Sequence, residues 1–442
     1  MKLFIYTLGC KLNQCESEAI ADSFVNAGFE LVTSSQVADI YIINTCTVTT
    51  KAEQKARRMI RKYHKENSNA IIIVTGCYAQ MEEEVIQNLI DRVIVVSLEE
   101  KPKLLTLAHT LQNRIVADGD LFEAVYSILK EKVEHSTFDY DAASFSLHSR
   151  AFLKIQDGCD NSCGYCRVTI ARGMSISLSI DEVVERCIAL EKGGYKEIVL
   201  TGVNISQYSF QGLSLEHLLI HILKVLSSHM RIRLSSLEPD CFTNGLLEVL
   251  KDERIQPHFH LPLQSLSDSV LQRIDRHYTY DVVNKAVNAL RKVKDTPFIA
   301  CDMITGLPGE KEDDFKESVD RLKELNVSQI HVFPYSPRPS TPLFGAKDPV
   351  PEYLRDERAT SLRKLSVIHT RRYINDMANK EVEVIIERIV ENRVSGISGN
   401  YLKLEIKEAP SSINRGALIK AKIDESASFD NPIAIFKEVL YP

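Results

Sequence analysis

Three cysteines stand close together near the middle of the chain, at Cys159, Cys163 and Cys166, and are called the loop trio here. Their C-x₃-C-x₂-C spacing lets three thiolates turn toward one soft metal centre. A structural zinc site needs four ligands, usually in paired C-x₂-C groups, and no histidine lies in this loop. A ferredoxin-type electron carrier also supplies four cysteines. Three ligands therefore predict a four-iron cluster with one open iron, to which a substrate can bind.

Three other cysteines, Cys10, Cys46 and Cys77, are far apart in sequence but hold equivalent positions. Each directly follows a short apolar run that is typical of a buried parallel strand, and we call them the strand trio. Ligands bind outside the carboxyl ends of the strands in open α/β sheets, so these thiols are expected to converge at one edge. Helix N-termini at that edge would favour their negative charge. The alternative, three independent small buried residues, explains the three equivalent positions less well than a second metal site does.

The remaining cysteines are predicted to be small buried residues without a chemical role. They are Cys15, Cys187, Cys241 and Cys301. No run approaches the roughly 20 apolar residues that span a bilayer, and the first residues lack the features of a signal peptide. A cytoplasmic protein without membrane contact is therefore expected, in which clustered thiols indicate metal or redox chemistry rather than disulfides.

The charge distribution is uneven along the chain. The formal net charge of −6 argues mildly against a general nucleic-acid binder. One segment, however, combines a single acid, Glu53, with a run of basic residues. These are Lys51, Lys55, Arg57, Arg58, Arg61, Lys62 and Lys65. A solvated helix face is the usual interpretation of such a run, and a phosphate-binding surface is the alternative.

Residues 1–133 alternate strand and helix patterns. Strands are predicted at residues 3–8, 40–44 and 71–75, and helices at 16–27 and 51–66. This βαβαβ order predicts an open, doubly wound parallel sheet. Residues 134–150 are predicted to be a polar linker.

Residues 151–376 show a longer alternation of the same kind. Predicted strands lie at residues 152–156, 197–201, 231–235, 258–263, 298–305 and 329–335, and predicted helices at 180–191, 215–226, 244–250, 281–293 and 312–325. Six such repeats predict a partial (βα)₆ TIM-like barrel, with its active site at the carboxyl ends of the strands. The proline-rich run from Pro334 to Pro351 indicates a linker, and a basic helix follows it.

Residues 377–442 change to an all-β pattern. Strands are predicted at residues 381–389, 401–406, 417–423 and 433–436. Four or five short strands in so short a segment predict a small all-β barrel, of a kind that often binds nucleic acids but has other uses. The predicted fold class is therefore α/β, with an open parallel sheet, a partial barrel and a small β-barrel in that order.

The loop trio resembles the cluster-binding signature of radical S-adenosylmethionine enzymes, whose usual fold is a partial (βα) barrel. The resemblance implies that S-adenosylmethionine chelates the open iron and that its reductive cleavage releases a 5′-deoxyadenosyl radical. It also implies that the aromatic residue before the third cysteine, Tyr165, lies near the adenine of the cofactor.

The two trios and the terminal barrel together resemble the methylthiotransferases over nearly the whole chain. The similarity is greatest to the MtaB-type group, which acts on threonylcarbamoyladenosine in tRNA. The motifs that carry it are residues 7–14 (TLGCKLNQ), 44–49 (NTCTVT), 74–80 (VTGCYAQ), 152–159 (FLKIQDGC), 200–204 (LTGVN), 235–239 (SSLEP) and 305–310 (TGLPGE). The C-terminal segment is similar to the TRAM domain, an RNA-binding barrel.

This resemblance implies two [4Fe–4S] clusters, a radical-generating one on the loop trio and an auxiliary, sulfur-carrying one on the strand trio. It implies that S-adenosylmethionine serves both as methyl donor and as radical source, converting threonylcarbamoyladenosine at tRNA position 37 to its 2-methylthio derivative. Gly202, Asn204 and Glu238 are expected to line the cofactor pocket. Helices 51–65 and 355–372 are expected to contact the anticodon stem-loop of the tRNA. A carrier such as flavodoxin or ferredoxin is the expected electron donor.

The chain departs from the family pattern at three places. Residues 167–169 (RVT) stand where the family usually has two aliphatic residues and a proline. Leu266 replaces an expected glycine, so a backbone with positive φ would be strained there and the loop is expected to be shaped differently. Residues 276–278 (RHY) are also irregular. None of these positions is a predicted metal ligand.

Two alternatives stay open from the sequence. A methylthiotransferase acting on isopentenyladenosine in tRNA, or on a ribosomal-protein aspartate, would share both trios. An iron–sulfur or zinc RNA-binding module without enzymatic activity would instead need four ligands at each site. The count of three cysteines in each trio favours an enzyme.

Overall fold

A computed structural model of the protein describes residues 1–33, 36–114, 120–141, 148–391, 393–430 and 432–442. Its N-terminal unit is a parallel sheet in the order β2-β1-β3-β4-β5. The strands are β1 (Lys2–Thr7), β2 (Glu30–Leu31), β3 (Ile40–Thr45), β4 (Ile71–Gly76) and β5 (Val93–Val95). Strands β3 and β4 are buried on both faces, as apolar runs in a parallel sheet must be.

Helices pack on both faces of this sheet, which confirms the doubly wound prediction. They are α1 (Lys11–Asn26), α2 (Thr50–Glu66), α3 (Cys77–Met81), α4 (Glu83–Gln87), α5 (Lys103–Arg114) and α6 (Leu121–Lys130). The cores on the two faces are separate, with α1 and α5 on one and α2 on the other. Helix α1 starts at Lys11, earlier than predicted, because the extended Cys10 is its N-cap residue.

The central unit contains six parallel strands in sequential order, arranged as two three-stranded sheets. Bridges between Ile232 and Ile255 and between Ser236 and His260 join the two sheets. Its strands are β6 (Ala151–Lys154), β7 (Gln156–Asp157), β8 (Ile176–Ser177), β9 (Glu197–Thr201), β10 (Ser209–Phe210), β11 (Leu213–Ser214), β12 (Arg231–Leu234), β13 (His258–Gln264), β14 (Phe298–Thr305) and β15 (Gln329–Pro334). The six barrel strands are β6, β9, β12, β13, β14 and β15, so the predicted partial barrel is confirmed.

The helices of this unit follow the barrel strands. They are α7 (Val168–Arg172), α8 (Ile180–Lys192), α9 (Leu215–Val225), α10 (Asn244–Val249), α11 (Asp268–Arg273), α12 (Tyr280–Val293), α13 (Glu312–Leu325) and α14 (Glu352–Asp376). The predicted strand 152–156 divides at Ile155, because Gln156 and Asp157 leave the barrel to pair with β8.

The C-terminal unit is a closed barrel in the order β16-β17-β18-β20-β19, as predicted. Its strands are β16 (Glu381–Val390), β17 (Arg393–Ser398), β18 (Lys403–Lys407), β19 (Leu418–Ile423) and β20 (Ile433–Tyr441). Strand β17 was not predicted individually, since its sequence RVSGIS is poor in bulky apolar residues. Gly396 fits there because a Cβ would lie 2.3 Å from the carbonyl oxygen of Ile385. The core of this unit continues into Phe298, Tyr373 and neighbouring residues of the central barrel.

Two connecting segments, residues 134–150 and the proline-rich run, contain side chains that are buried against the rest of the protein. In the predicted linker 134–150, Phe138 and Tyr140 are buried in the main core, and residues 142–147 lie outside the described residues. The proline-rich run is the irregular connection between β15 and α14, as predicted, but Arg338 and Thr341 are buried within it. Among the described residues, no helix is both long and apolar enough to cross a membrane.

Candidate metal centres and cofactor cavity

The strand trio lies at the carboxyl ends of three adjacent strands. Cys10 caps α1 after β1, Cys46 follows β3 directly, and Cys77 is the first residue of α3 after β4. Gly76 makes the close approach possible, with φ of 95° and no room for a Cβ, which would lie 2.4 Å from the Thr45 carbonyl oxygen. Parallel pairing and tight turns thus bring the three thiols to one edge of the sheet, as the sequence predicted.

The thiols of the strand trio affect one another electrostatically. Burial raises the pKa of Cys46 to about 12. Cys10 and Cys77 contribute to this increase, and the hydrogen bond from the Val48 amide opposes it. Cys10 is the most exposed of the three. Buried thiols with such pKa values ionise at neutral pH only when a metal compensates the charge, so metal binding at this site releases protons.

Arg172, on α7 of the central barrel, reaches across to the strand trio. Its Nε donates to Cys77 Sγ at 3.3 Å, and its Nη2 donates to Asn13 Oδ1 at 2.9 Å. Nη1 pairs with Asp157 at 2.9 Å and with Glu16 at 3.2 Å. The guanidinium therefore fixes the strand trio against the loop that carries the other three cysteines.

Arg172 belongs to a buried ion network that joins the N-terminal sheet to the central barrel. Lys101 and Lys154 both pair with Glu16, the latter at 3.0 Å, and Lys154 also pairs with Asp157 at 2.6 Å. Burial alone would raise the pKa of Glu16, but Lys101 and Arg172 hold it well below its ordinary value. Three cations face two carboxylates here, and the excess positive charge complements thiolates at Cys10 and Cys77.

Replacing Glu16 by glutamine is expected to lower the free energy of unfolding by about 3–5 kcal/mol, because Lys101, Lys154 and Arg172 then share one carboxylate in a buried site. Urea unfolding of the metal-free protein, followed by circular dichroism, measures this. Glu185→Gln, at an exposed position of α8, is the matched control and should change the value by less than about 0.5 kcal/mol. Equal stability of the two variants would show that the network does not stabilise the interface.

The loop trio follows β7 and is held by a dense set of backbone contacts. The Cys166 amide donates to the Cys163 carbonyl oxygen at 3.0 Å, and the Thr169 hydroxyl donates to the Cys159 carbonyl oxygen at 3.2 Å. Burial raises the pKa of Cys166 to about 12, with further contributions from Cys163 and Cys159. The Val168 amide, the first of α7, donates to Cys166 Sγ at 3.3 Å and favours the thiolate.

Arg276 connects the loop trio to Glu238. Its Nη1 lies 3.3 Å from Cys163 Sγ, and its Nη2 pairs with the Glu238 carboxylate. Burial raises the pKa of Glu238 to about 7, against the opposing effect of Arg276. The guanidinium thus offers positive charge to a thiolate on one side and orients a carboxylate on the other.

A cavity of about 320 Å³ lies beside the loop trio. All three cysteines of the loop trio line it, and so do Val48 and Thr49, two and three residues after Cys46. Asp302 and Phe333, from barrel strands β14 and β15, complete its floor. The loop trio and two residues of the turn after Cys46 thus share one chamber at the carboxyl end of the barrel, where barrel enzymes hold their active sites.

The donor sets fit iron–sulfur clusters better than single ions. A zinc ion with Zn–S distances of about 2.3 Å would hold its tetrahedral sulfurs about 3.8 Å apart. Among the residues that the structure describes, neither trio brings all three sulfurs within 4.8 Å of one another. The sulfurs of each trio are thus spread more widely than the ligands of a zinc ion, and each trio lies beside a guanidinium. Both features suit a multi-iron cluster.

Three of the four predicted cofactor residues border the space beside the loop trio, and one does not. Tyr165, Asn204 and Glu238 line the cavity. The buried side-chain amide of Asn204 faces Cys159, where burial raises the pKa of the thiol and Asn204 opposes that effect. Gly202 is not among the lining residues. A Cβ there would lie 2.6 Å from Gln156 Oε1, so its small size serves packing.

The departures from the family pattern have structural explanations. Arg167 replaces an aliphatic residue and lies 3.4 Å from Glu53 and 2.9 Å from Glu82, and Arg338 also pairs with Glu53. Leu266 is a fully buried core residue without a positive φ, and Gln264 has the positive φ, 64°, in that loop. The irregular run 276–278 supplies Arg276, the contact to Cys163.

The basic segment on α2 presents a positive outer face. All its basic residues are exposed except Arg57, which is half-buried and donates to the Tyr78 hydroxyl at 2.7 Å. Of the acids on this helix, Glu53 is turned inward to Arg167 and Arg338, and Glu66 at the helix end pairs with Lys62 at 3.5 Å, so the positive charge of that face is only partly offset. On α14, Arg358 is buried against Glu310, whereas Arg363, Lys364 and Arg371 are exposed.

Comparison with known proteins agrees with this architecture. Residues 2–97 match the family model described as "Uncharacterized protein family UPF0004", and residues 153–322 match the Radical SAM superfamily. The fold is similar to that of the radical S-adenosylmethionine methyltransferase TsrM from Kitasatospora setae, with a TM-score of 0.51 and 12% identity over 77% of this chain and 76% of that chain. At this identity the likeness shows the fold alone.

Three curated relatives match most of the chain. The threonylcarbamoyladenosine tRNA methylthiotransferase MtaB of Treponema pallidum (strain Nichols) is 37% identical over 91% of this chain and 94% of its own length. The protein of the same name from Bacillus subtilis (strain 168) is 36% identical over 95% and 92%. The tRNA-2-methylthio-N(6)-dimethylallyladenosine synthase of Ehrlichia canis (strain Jake) is 32% identical over 82% of each chain. With its radical S-adenosylmethionine barrel and this degree of identity, the chain belongs to the family of the threonylcarbamoyladenosine tRNA methylthiotransferases.

Proposed function

We propose that this enzyme converts threonylcarbamoyladenosine at position 37 of tRNA to its 2-methylthio derivative, with a [4Fe–4S] cluster on each cysteine trio. The observation that carries the proposal is a cavity lined by all three cysteines of the loop trio and by Val48 and Thr49, two and three residues after Cys46. Sulfur insertion at a carbon needs a radical source and a sulfur source within reach of the same atom. A chamber of this kind meets that requirement.

When bound, the clusters and S-adenosylmethionine supply the reductive cleavage of the sulfonium, the methyl group and the sulfur. The residues of the chain hold and shield these groups. Asn204 offers an amide beside Cys159, Glu238 offers a carboxylate oriented by Arg276, and Tyr165 offers a ring beside Cys166. Arg172 and Arg276 each place a guanidinium 3.3 Å from a cysteine sulfur and compensate its negative charge.

The tRNA would approach over α2. This helix starts at Thr50, close to Cys46, and its exposed Lys and Arg side chains run outward from the cavity. Positive charge on such a face attracts phosphates without reading sequence. The C-terminal β-barrel is proposed as a second RNA contact, and flavodoxin or ferredoxin as the electron donor.

The substrate assignment is tested with the enzyme reconstituted anaerobically and reduced by dithionite. Anticodon stem-loop RNAs carry threonylcarbamoyladenosine, dimethylallyladenosine or unmodified adenosine at position 37, and products are detected by liquid chromatography and mass spectrometry. We expect a methylthio product from the threonylcarbamoyl RNA at a rate at least about tenfold above the others, since a specific site rejects an analogue that lacks its polar contacts. A faster reaction with the dimethylallyladenosine RNA would contradict the proposal. It would indicate the activity for which the Ehrlichia canis relative is named.

A further inference from the structure

A chain of four polar side chains crosses the inside of the barrel beneath the cavity. The Ser236 hydroxyl lies 2.7 Å from His260 Nδ1, and His260 Nε2 lies 2.8 Å from Asp302 Oδ1. His331 Nδ1 lies 3.1 Å from the same oxygen. These residues come from the end of β12 and from β13, β14 and β15, so the chain spans the open half of the barrel. The cluster chemistry proposed above uses none of these four side chains.

The hydrogen bonds leave two acceptors directed at a ligand. Asp302 is ionised, because hydrogen bonds from the two imidazoles outweigh the effect of burial and lower its pKa to about 2. Each histidine therefore donates an N–H to Oδ1. Neither Asp302 Oδ2 nor His331 Nε2 accepts a hydrogen bond from the described residues. Asp302 lines the cavity, and the His331 side chain is 42% exposed.

An aromatic ring stands beside these acceptors. Asp302 pairs with His331 across β14 and β15, and two residues further toward the barrel mouth Ile304 pairs with Phe333. Side chains two apart on a strand share a face, so Phe333 lies above His331. Phe333 lines the cavity and is 41% exposed, so its ring is accessible to a ligand there. An aromatic face of this kind stacks an unpaired nucleic-acid base.

We propose that Phe333 stacks on the target adenine while Asp302 and His331 accept hydrogen bonds from the N–H and O–H groups of its threonylcarbamoyl substituent. The inference rests on the proposed function and names the residues that select its substrate. A dimethylallyl substituent is apolar and, when packed against these acceptors, would exclude water from them without replacing its hydrogen bonds, which is unfavourable. His260 and Ser236 act through Asp302 as positioning residues.

A mononuclear metal site is the other chemistry that two histidines and an aspartate could serve, since their ligand atoms lie within 4.8 Å of one another. The contacts of 2.8 and 3.1 Å are those of hydrogen bonds. Ligand atoms about 2.0–2.1 Å from a tetrahedral zinc would stand about 3.3 Å apart. The observed geometry thus favours a network of acceptors held for an organic ligand.

The test measures RNA binding by fluorescence anisotropy with the cluster-loaded protein and S-adenosylmethionine, without reductant, so that no turnover occurs. Anticodon stem-loops with threonylcarbamoyladenosine or plain adenosine at position 37 are compared. We expect Asp302→Asn and His331→Ala to reduce the preference for the modified RNA about tenfold or more, with affinity for the plain RNA unchanged. Phe333→Leu should reduce the affinity for both RNAs roughly tenfold, because stacking on the adenine does not depend on its substituent. His221→Gln, on the exposed face of α9, is the control and should leave both affinities unchanged.

Iron content equal to wild type shows that each variant is folded. Unchanged preference in Asp302→Asn and His331→Ala would overturn the inference, as would an equal loss of affinity for both RNAs. A stoichiometric zinc ion that is present in wild type and lost in His331→Ala would overturn it in favour of a metal site. A wild-type enzyme that forms the methylthio product but binds both RNAs equally would contradict the inference and leave the proposed function intact.

Discussion

Replacing Cys159 by alanine is expected to abolish the release of 5′-deoxyadenosine from S-adenosylmethionine. The variant leaves only Cys163 and Cys166 in a loop whose third thiol completes the cluster site, and no other cysteine lines the cavity. Dithionite-reduced protein is incubated with S-adenosylmethionine, and 5′-deoxyadenosine is quantified by liquid chromatography. We expect a decrease to the level of a protein-free control.

The matched control is Cys187→Ala. Cys187 is fully buried in α8 and far from the cavity lining, so this change removes a thiol with a cost to stability but not to chemistry. It should retain most of the wild-type yield of 5′-deoxyadenosine. If Cys159→Ala kept that yield as well, the loop trio could not be the site of radical generation.

The second large effect is expected when Cys10, Cys46 and Cys77 are all replaced by alanine. Methylthiolated RNA should disappear, because the sulfur source is lost, while 5′-deoxyadenosine should still form, because the loop trio is intact. Both products are measured in the same reaction, with threonylcarbamoyladenosine-containing stem-loop RNA as substrate. Loss of methylthiolated RNA with retention of 5′-deoxyadenosine would show that the strand trio is needed for sulfur transfer and not for radical generation.

The single variant Arg172→Lys serves as a check on the geometry. Lysine keeps the positive charge but cannot contact Cys77, Asn13 and Asp157 together as the guanidinium does. We expect a reduced methylthio yield with 5′-deoxyadenosine largely retained. Formation of methylthiolated RNA by the triple cysteine variant would contradict a sulfur-supplying role for the strand trio.

The convergence of Cys10, Cys46 and Cys77 could be predicted because it depends only on strand order. A cysteine directly after each of three buried apolar runs must lie at the same edge once those runs form a parallel sheet. The partial barrel and the terminal β-barrel were predictable for the same reason, since hydrophobic periodicity sets the order of elements. These predictions need no knowledge of how the units pack.

The contacts that connect the units could not be predicted in this way. Arg172 lies six positions after Cys166, yet its partners Asn13 and Glu16 are on α1, and the partners of Arg338 are on α2. Sequence spacing carries no information on such pairs. The hydrogen-bonded chain through His260, Asp302 and His331 was not predicted for a similar reason. Each residue alone is an ordinary polar residue in a strand.

We expect each of the two trios to hold one four-iron cluster, and a count of iron and acid-labile sulfide tests this most directly. Wild type and the Cys10, Cys46, Cys77 triple alanine variant are reconstituted anaerobically, desalted and analysed per mole of protein. The account predicts about eight irons and eight sulfides in wild type and about four of each in the variant, with the spectrum of a four-iron cluster retained. About four irons in both proteins would contradict it, because the strand trio would then hold no cluster.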